Sequence, residues 1–194
     1  MEINAPDPLP NLSREAQEVL LCVARASIAA ALRGEGYAPP EGLPPPCEQP
    51  GAAFVSLHAG SDLRGCIGMV RTPAPLASVV AHCARAAALE DPRFPPLGAE
   101  ELVRVDIEIS VLGQTRPLPP GALPRPGVDG VVVSWSGRQG LLLPQVATEQ
   151  GWDGKRLLEE ACVKAGLERE AWAHGARAEV FQASVFSEES SRST

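Results

Sequence analysis

Apolar residues recur at helical spacing from Ala16 through Val19, Leu20, Val23 and Ser27 to Ala30, which predicts a first helix within 11–34. Asn11 or Ser13 can cap it, Glu15 suits its first turn and Gly34 supplies a stop. The pattern then shifts to a period of two. "AAFVSL" and "LRGCIGMV" flank "HAGSD", a hairpin signal. A second helix, "PLASVVAHCARAAAL", opens on Pro75. "ELVRVDIEISVL" alternates along its length and predicts a strand over 101–112, with Val103, Val105, Ile107, Ile109 and Val111 inward. Another hairpin follows, "DGVVVSW" and "GLLLP" around "SGRQ". "GKRLLEEACVKAGL" predicts a helix stopping at Gly166, "EREAW" a further helical turn, and "RAEVFQASVF" one last strand.

The order helix, hairpin, helix, strand, hairpin, helix, strand predicts an α+β fold, mostly antiparallel. Proline and glycine punctuate it in "YAPPEGLPPPCEQPG", "EDPRFPPLG" and "GQTRPLPPGALPRPG", which read as irregular connections. Residues 1–12 and 188–194 read as tails around one domain over 13–187.

Charge narrows the partners. The 194-residue chain carries a net charge of -7 with its basic residues scattered, which argues against nucleic acid and anionic membranes. "MEINAPDPLP" lacks the basic and apolar regions of a signal peptide, and the apolar run Val19 to Leu32 is interrupted by Arg25 and too short to span a bilayer. Five cysteines without paired spacing point to a reducing cytoplasm rather than a disulfide framework, and no spacing suggests a metal or a cofactor.

Candidate chemistry centres on "DLRGCIGMV". Strand parity puts Leu63, Gly65, Ile67 and Met69 on one face and Arg64, Cys66, Gly68 and Val70 on the other. Arg64 and Cys66 would then lie roughly 6–7 Å apart, close enough for the arginine to favour a thiolate or hold an anionic substrate. Gly65 and Gly68 leave backbone bare for a ligand or for another chain segment. The same pattern also suits a buried, inert cysteine beside a bulge. A three-residue loop, Gly60 to Asp62, places His58 opposite Arg64 and Ser56 opposite Cys66, making His58 a possible base. Glu108 would offer a carboxylate opposite Arg64. Asp91 and Arg93 can pair or face a cleft, and Gln145 and Trp152 can line a pocket or pack internally.

"LRGCIG", "EDPRFPPL", "IEISVL", "DGVVV", "LLLPQVATEQGWD" and "CVKAGL" occur in this order, and together they resemble the AMMECR domain family, whose prokaryotic members are AmmeMemoRadiSam system protein A. The match runs from Ser13 to Ser187. It implies two unequal antiparallel sheets flanked by helices, with "LRGCIG" near a cleft between two lobes, and Memo-like and radical SAM proteins as partners. It implies no reaction. Carried over by position are Leu63 to Gly68, Asp91 to Phe94, Leu143 to Gln145 and Trp152. His58 lies outside these motifs. The resulting expectation is a site with Cys66 and Arg64 at its centre and Gly65, Gly68, Asp91, Arg93, Gln145 and Trp152 around it. It either takes a small anionic ligand, with or without cysteine catalysis, or presents the same residues to a protein partner.

Overall fold

The computed structural model describes residues 12–70 and 72–188. Helices accompany two antiparallel four-stranded sheets, so the α+β expectation holds. By contacts, the chain divides into two compact units, residues 12–112 with 184–188, and residues 113–183.

The first unit opens with α1, Arg14–Leu32. Ser13 is the cap that forms: its Oγ accepts from the Ala16 N–H at 3.2 Å. The buried stripe extends the expected one through Leu21, Ala24 and Ile28. A short turn, α2 (Pro45–Glu48), sits where only irregular chain was expected, and Cys47 anchors it in the core. The first hairpin is β1, Ala52–Ala59, and β2, Asp62–Met69. Helix α3, Leu76–Leu89, packs on α1 and on both hairpin strands.

After α3 come the short helix α4, Ala99–Leu102, and strand β3, Asp106–Leu112. The start of the expected 101–112 strand is therefore helical. The Glu101 carboxylate reaches back to the Gly98 N–H at 2.8 Å, which closes a helical turn, and Val103 ends up 82% exposed rather than inward. The sheet order is β2-β1-β3-β8, where β8 is Ala183–Ser187. One face of this sheet and α1 and α3 enclose a core that includes Leu20, Ile28, Val55, Leu57, Val80, Ile107 and Ile109.

The second unit carries β4 (Arg116–Pro117), β5 (Gly130–Trp135), β6 (Arg138–Leu142) and β7 (Arg177–Phe181) in the order β4-β7-β5-β6. The β5–β6 turn has two residues, Ser136 and Gly137, both at positive φ (47° and 80°), so it is tighter than the four-residue loop expected. Pro144 does more than end β6: it begins α5, Pro144–Glu149. Helix α6, Gly154–Lys164, is capped by Asp153, and Ala171–His174 forms a 3-10 turn. Val131, Val133, Leu157, Leu158 and Ala161 are central in this unit's core.

The expected last strand is in fact two. It breaks at Gln182 into β7 of one sheet and β8 of the other. The expected tails fall mostly outside the described residues; at their inner edges Leu12 is buried and Glu188 pairs with Arg25. Among the described residues, no helix is long and apolar enough to cross a membrane.

Candidate functional site

Strand β2 is an edge strand, so alternate backbone groups point away from its partner β1 and need satisfying elsewhere. At Cys66 the loop after α3 supplies the partners. The Asp91 carboxylate accepts from the Cys66 N–H at 2.9 Å, and the Arg93 guanidinium donates to the Cys66 carbonyl at 3.1 Å. The two side chains also grip each other, Nε to Oδ1 at 2.9 Å and Nη2 to Oδ2 at 2.7 Å. Asp91, Arg93 and the Cys66 backbone therefore form a closed ring around one residue of the strand. Its carboxyl is only 2% exposed, and the guanidinium beside it holds it well below the usual carboxylate range despite that burial. Arg93 is raised in turn, chiefly by Asp91 and further by the Cys66 side chain beside it. Its side chain stays 54% exposed, with the guanidinium 5.4 Å over the Phe94 ring.

Arg64 departs from the expected geometry. The hairpin loop is Gly60–Ser61, with Ala59 paired to Asp62 and Gly60 at φ 63°. His58 then faces Leu63, and Leu57 faces Gly65, leaving Arg64 as the extra residue of a bulge. The bulge breaks the strand parity that would set Arg64 beside Cys66, and Leu63 is 39% exposed rather than in the core. The Arg64 guanidinium turns to Glu101, at 3.1 and 3.3 Å, and to the Pro96 carbonyl. It lowers the Glu101 carboxyl. Glu108, expected opposite Arg64, is in register with Ser56 instead. Glu101 escaped the sequence reading, although the Gly98-x-x-Glu101 spacing of a helix start was there to be seen.

Beyond the bulge the expected register is correct. Ser56 pairs with Cys66 and Val55 with Ile67. The Ser56 hydroxyl lies 3.3 Å from the Cys66 thiol, and with Glu108 on β3 the three residues form one row across three strands. His58 lies two residues along β1 from Ser56, and its Nε2 is buried without a hydrogen-bond partner. The two glycines are occupied by the chain itself. A Cβ on Gly65 would meet the Ala87 carbonyl oxygen at 2.2 Å, and one on Gly68 would meet the Phe54 ring at 2.2 Å. Both therefore serve close packing, of the two uses the sequence left open.

Gln145 and Trp152 belong to the second unit, Gln145 on α5 and Trp152 packed against that unit's core. Of the five free thiols, Cys47, Cys83 and Cys162 are buried and raised by that burial, Cys83 to about 12. Cys22 is exposed and Cys66 half-buried. Among the described residues, no group of three or more His, Cys, Asp or Glu is arranged to hold a metal ion.

Comparison with known proteins gives the family. The AMMECR1 family model matches residues 21–186. A protein of Thermofilum pendens is 40% identical, over 91% of this chain and 92% of its own. One of Methanothermobacter thermautotrophicus is 41% identical, over 92% and 97%. The crystal structure of the uncharacterized protein PH0010 from Pyrococcus horikoshii is 36% identical, with a TM-score of 0.81 over 89% of this chain and 91% of that one. Sequence and fold agree along nearly the whole length, and the chain belongs to the AMMECR1 family.

Proposed function

We propose that the Cys66 segment is a binding site for a small anionic ligand, in which Arg93, and not Arg64, supplies the positive charge and Cys66 the thiol that meets the ligand. The observation that carries this reading is the ring of Asp91, Arg93 and the Cys66 backbone. A buried carboxylate fixes a guanidinium that remains half-exposed next to a half-buried thiol. Such a cation favours an anion at the sulfur, and it favours the thiolate where the site acts as a cysteine-dependent enzyme. Ser56 then holds the sulfur in place. Free cysteines support a reducing, cytoplasmic setting for this chemistry.

Alkylation tests it. In a Cys22→Ser background, Cys66 should react with iodoacetate in the folded protein, and faster relative to iodoacetamide than a free thiol does. Arg93→Met should abolish that preference for the anionic reagent. A Cys66 that resists both reagents, or a preference untouched by Arg93→Met, sinks the reading.

A second reading is a non-catalytic adaptor that offers the same residues to a protein partner, with the Memo-like and radical SAM proteins as the partners suggested by the family resemblance. Its support is that Gly65, Gly68 and Arg64 are all engaged within the fold. Co-purification with such partners, lost in Arg93→Ala while the fold is kept, would favour the adaptor. Unchanged association in that variant would count against this surface.

A further inference from the structure

The second unit holds a cavity of about 670 Å³, lined by none of the hexapeptide's residues, that the reading above does not use. Its apolar surface comes from Trp135, Leu167, Ala171 and Ala176, and its rim carries Glu168 and Glu170. Trp135 is 47% exposed at the end of β5, yet its place is set by its surroundings. The tight Ser136–Gly137 turn follows it, and Gly175, at φ 107°, lies so close under the indole that a Cβ there would come within 3.3 Å of the ring. The cross-strand neighbour Arg138 does not cover the ring: its guanidinium donates to the Gly166 carbonyl at 2.7 Å.

The rim carries two carboxylates against one guanidinium. That guanidinium, of Arg169, is held by Glu160, which it shares with Arg156 at 2.8 Å. His174 stands 3.9 Å from Glu170. That leaves a fixed, half-exposed indole beside two rim carboxylates in a chain of net charge -7. An indole face attracts cations, the carboxylates add to the pull, and the apolar floor rewards a ligand that brings alkyl surface with its charge. A second copy of this acidic chain does not fit that description. The volume exceeds what one side chain fills, so a short stretch of chain suits it better than a single ammonium group.

We infer that the Trp135 groove is a docking site for a basic, amphipathic peptide segment of a partner protein, with a lysine or arginine over the indole and apolar neighbours on Leu167, Ala171 and Ala176.

The test titrates the full chain with acetyl-Leu-Lys-Leu-Arg-amide and follows the Trp135 indole N–H signal by NMR, assigned with Trp135→Phe. The basic peptide should shift that signal saturably and lose affinity as salt rises. Read on the Gly175 and Ala176 backbone amide signals, which remain in every variant, Trp135→Ala, or Glu168→Gln with Glu170→Gln, should weaken peptide binding by about fivefold or more. All these positions line an open surface, and circular dichroism checks that each variant folds. Four results overturn the inference: no saturable shift, equal binding of acetyl-Leu-Glu-Leu-Glu-amide, equal binding of free spermidine, or undiminished affinity in the charge-removed variant. Because Cys66 alkylation is read separately, failure here leaves the reading of the hexapeptide untouched, and the reverse also holds.

Discussion

Two arginine–carboxylate pairs flank strand β2, and they are built in opposite senses. In the Arg93–Asp91 pair the acid's side chain is buried, 2% exposed, and the arginine's is 54% exposed. In the Arg64–Glu101 pair the arginine side chain is 13% exposed and that of the acid 41%. A buried acid that holds a half-open cation leaves donors for something arriving from outside. A buried cation met by its own acid and by the Pro96 carbonyl has its Nε and Nη2 engaged, while its Nη1 is buried without a partner and closed to anything arriving from outside. The difference leaves one arginine open to solvent and the other enclosed by the fold, although each lies inside one of the conspicuous motifs, "LRGCIG" and "EDPRFPPL".

The largest perturbation strikes both pairs at once. Gly65 lies between Arg64 and Cys66 on the chain, and a Cβ there would collide with the Ala87 carbonyl of α3. Gly65→Ala should lower stability by about 3 kcal/mol in denaturant melts, since backbone rather than a flexible side chain must yield. A loss below about 0.5 kcal/mol would show that α3 shifts freely there.

Asp91→Ala comes next, at about 2 kcal/mol, because it strands the Cys66 N–H and frees Arg93. It should also erase the preference of Cys66 for iodoacetate. The same pair predicts a pH dependence. The folded carboxyl of Asp91 is depressed by Arg93, so its contribution is complete above the unfolded value of about 4 and fades as pH falls below it toward the folded value. The stability gap between the wild type and Asp91→Asn should therefore narrow steadily in melts taken below pH about 4. A gap constant through that range would show that the charge of Asp91 does not matter.

Arg64→Ala should cost about 1 kcal/mol, mainly through the packed stem, while leaving the alkylation preference intact. Loss of that preference would return Arg64 to the site and erase the contrast between the pairs. Glu101→Gln should cost least, under about 1 kcal/mol, because this acid is exposed and water replaces much of the interaction.

Much of the first unit was legible in the chain. Helical spacing marked α1 and the opening Pro75 marked α3, while the pairing of Ser56 with Cys66 came out right because the bulge at Arg64 offsets a turn one residue shorter than expected. The site was harder. One extra residue in β2 moved Arg64 out of the parity that strands obey, and that insertion depends on whether the turn takes two residues or three. The sequence "HAGSD" allows both. The ring at Cys66 joins residues 25 positions apart through an edge strand's exposed backbone, for which periodicity carries no signal. Gln182 was invisible for a similar reason: alternation continues through "RAEVFQASVF" although the two halves serve different sheets.

That break at Gln182 bears on how the first sheet is completed. Strand β8 sits at the margin of the first sheet, beside β3, and Glu188 just after it is gripped by Arg25 of α1. Residues 184–188 rejoin their unit only across the whole of residues 113–183. Completing the first sheet therefore requires closure of a loop about seventy residues long between β3 and β8, whereas its β1–β2 hairpin closes locally. In refolding kinetics β8 is accordingly the late-docking strand of that sheet.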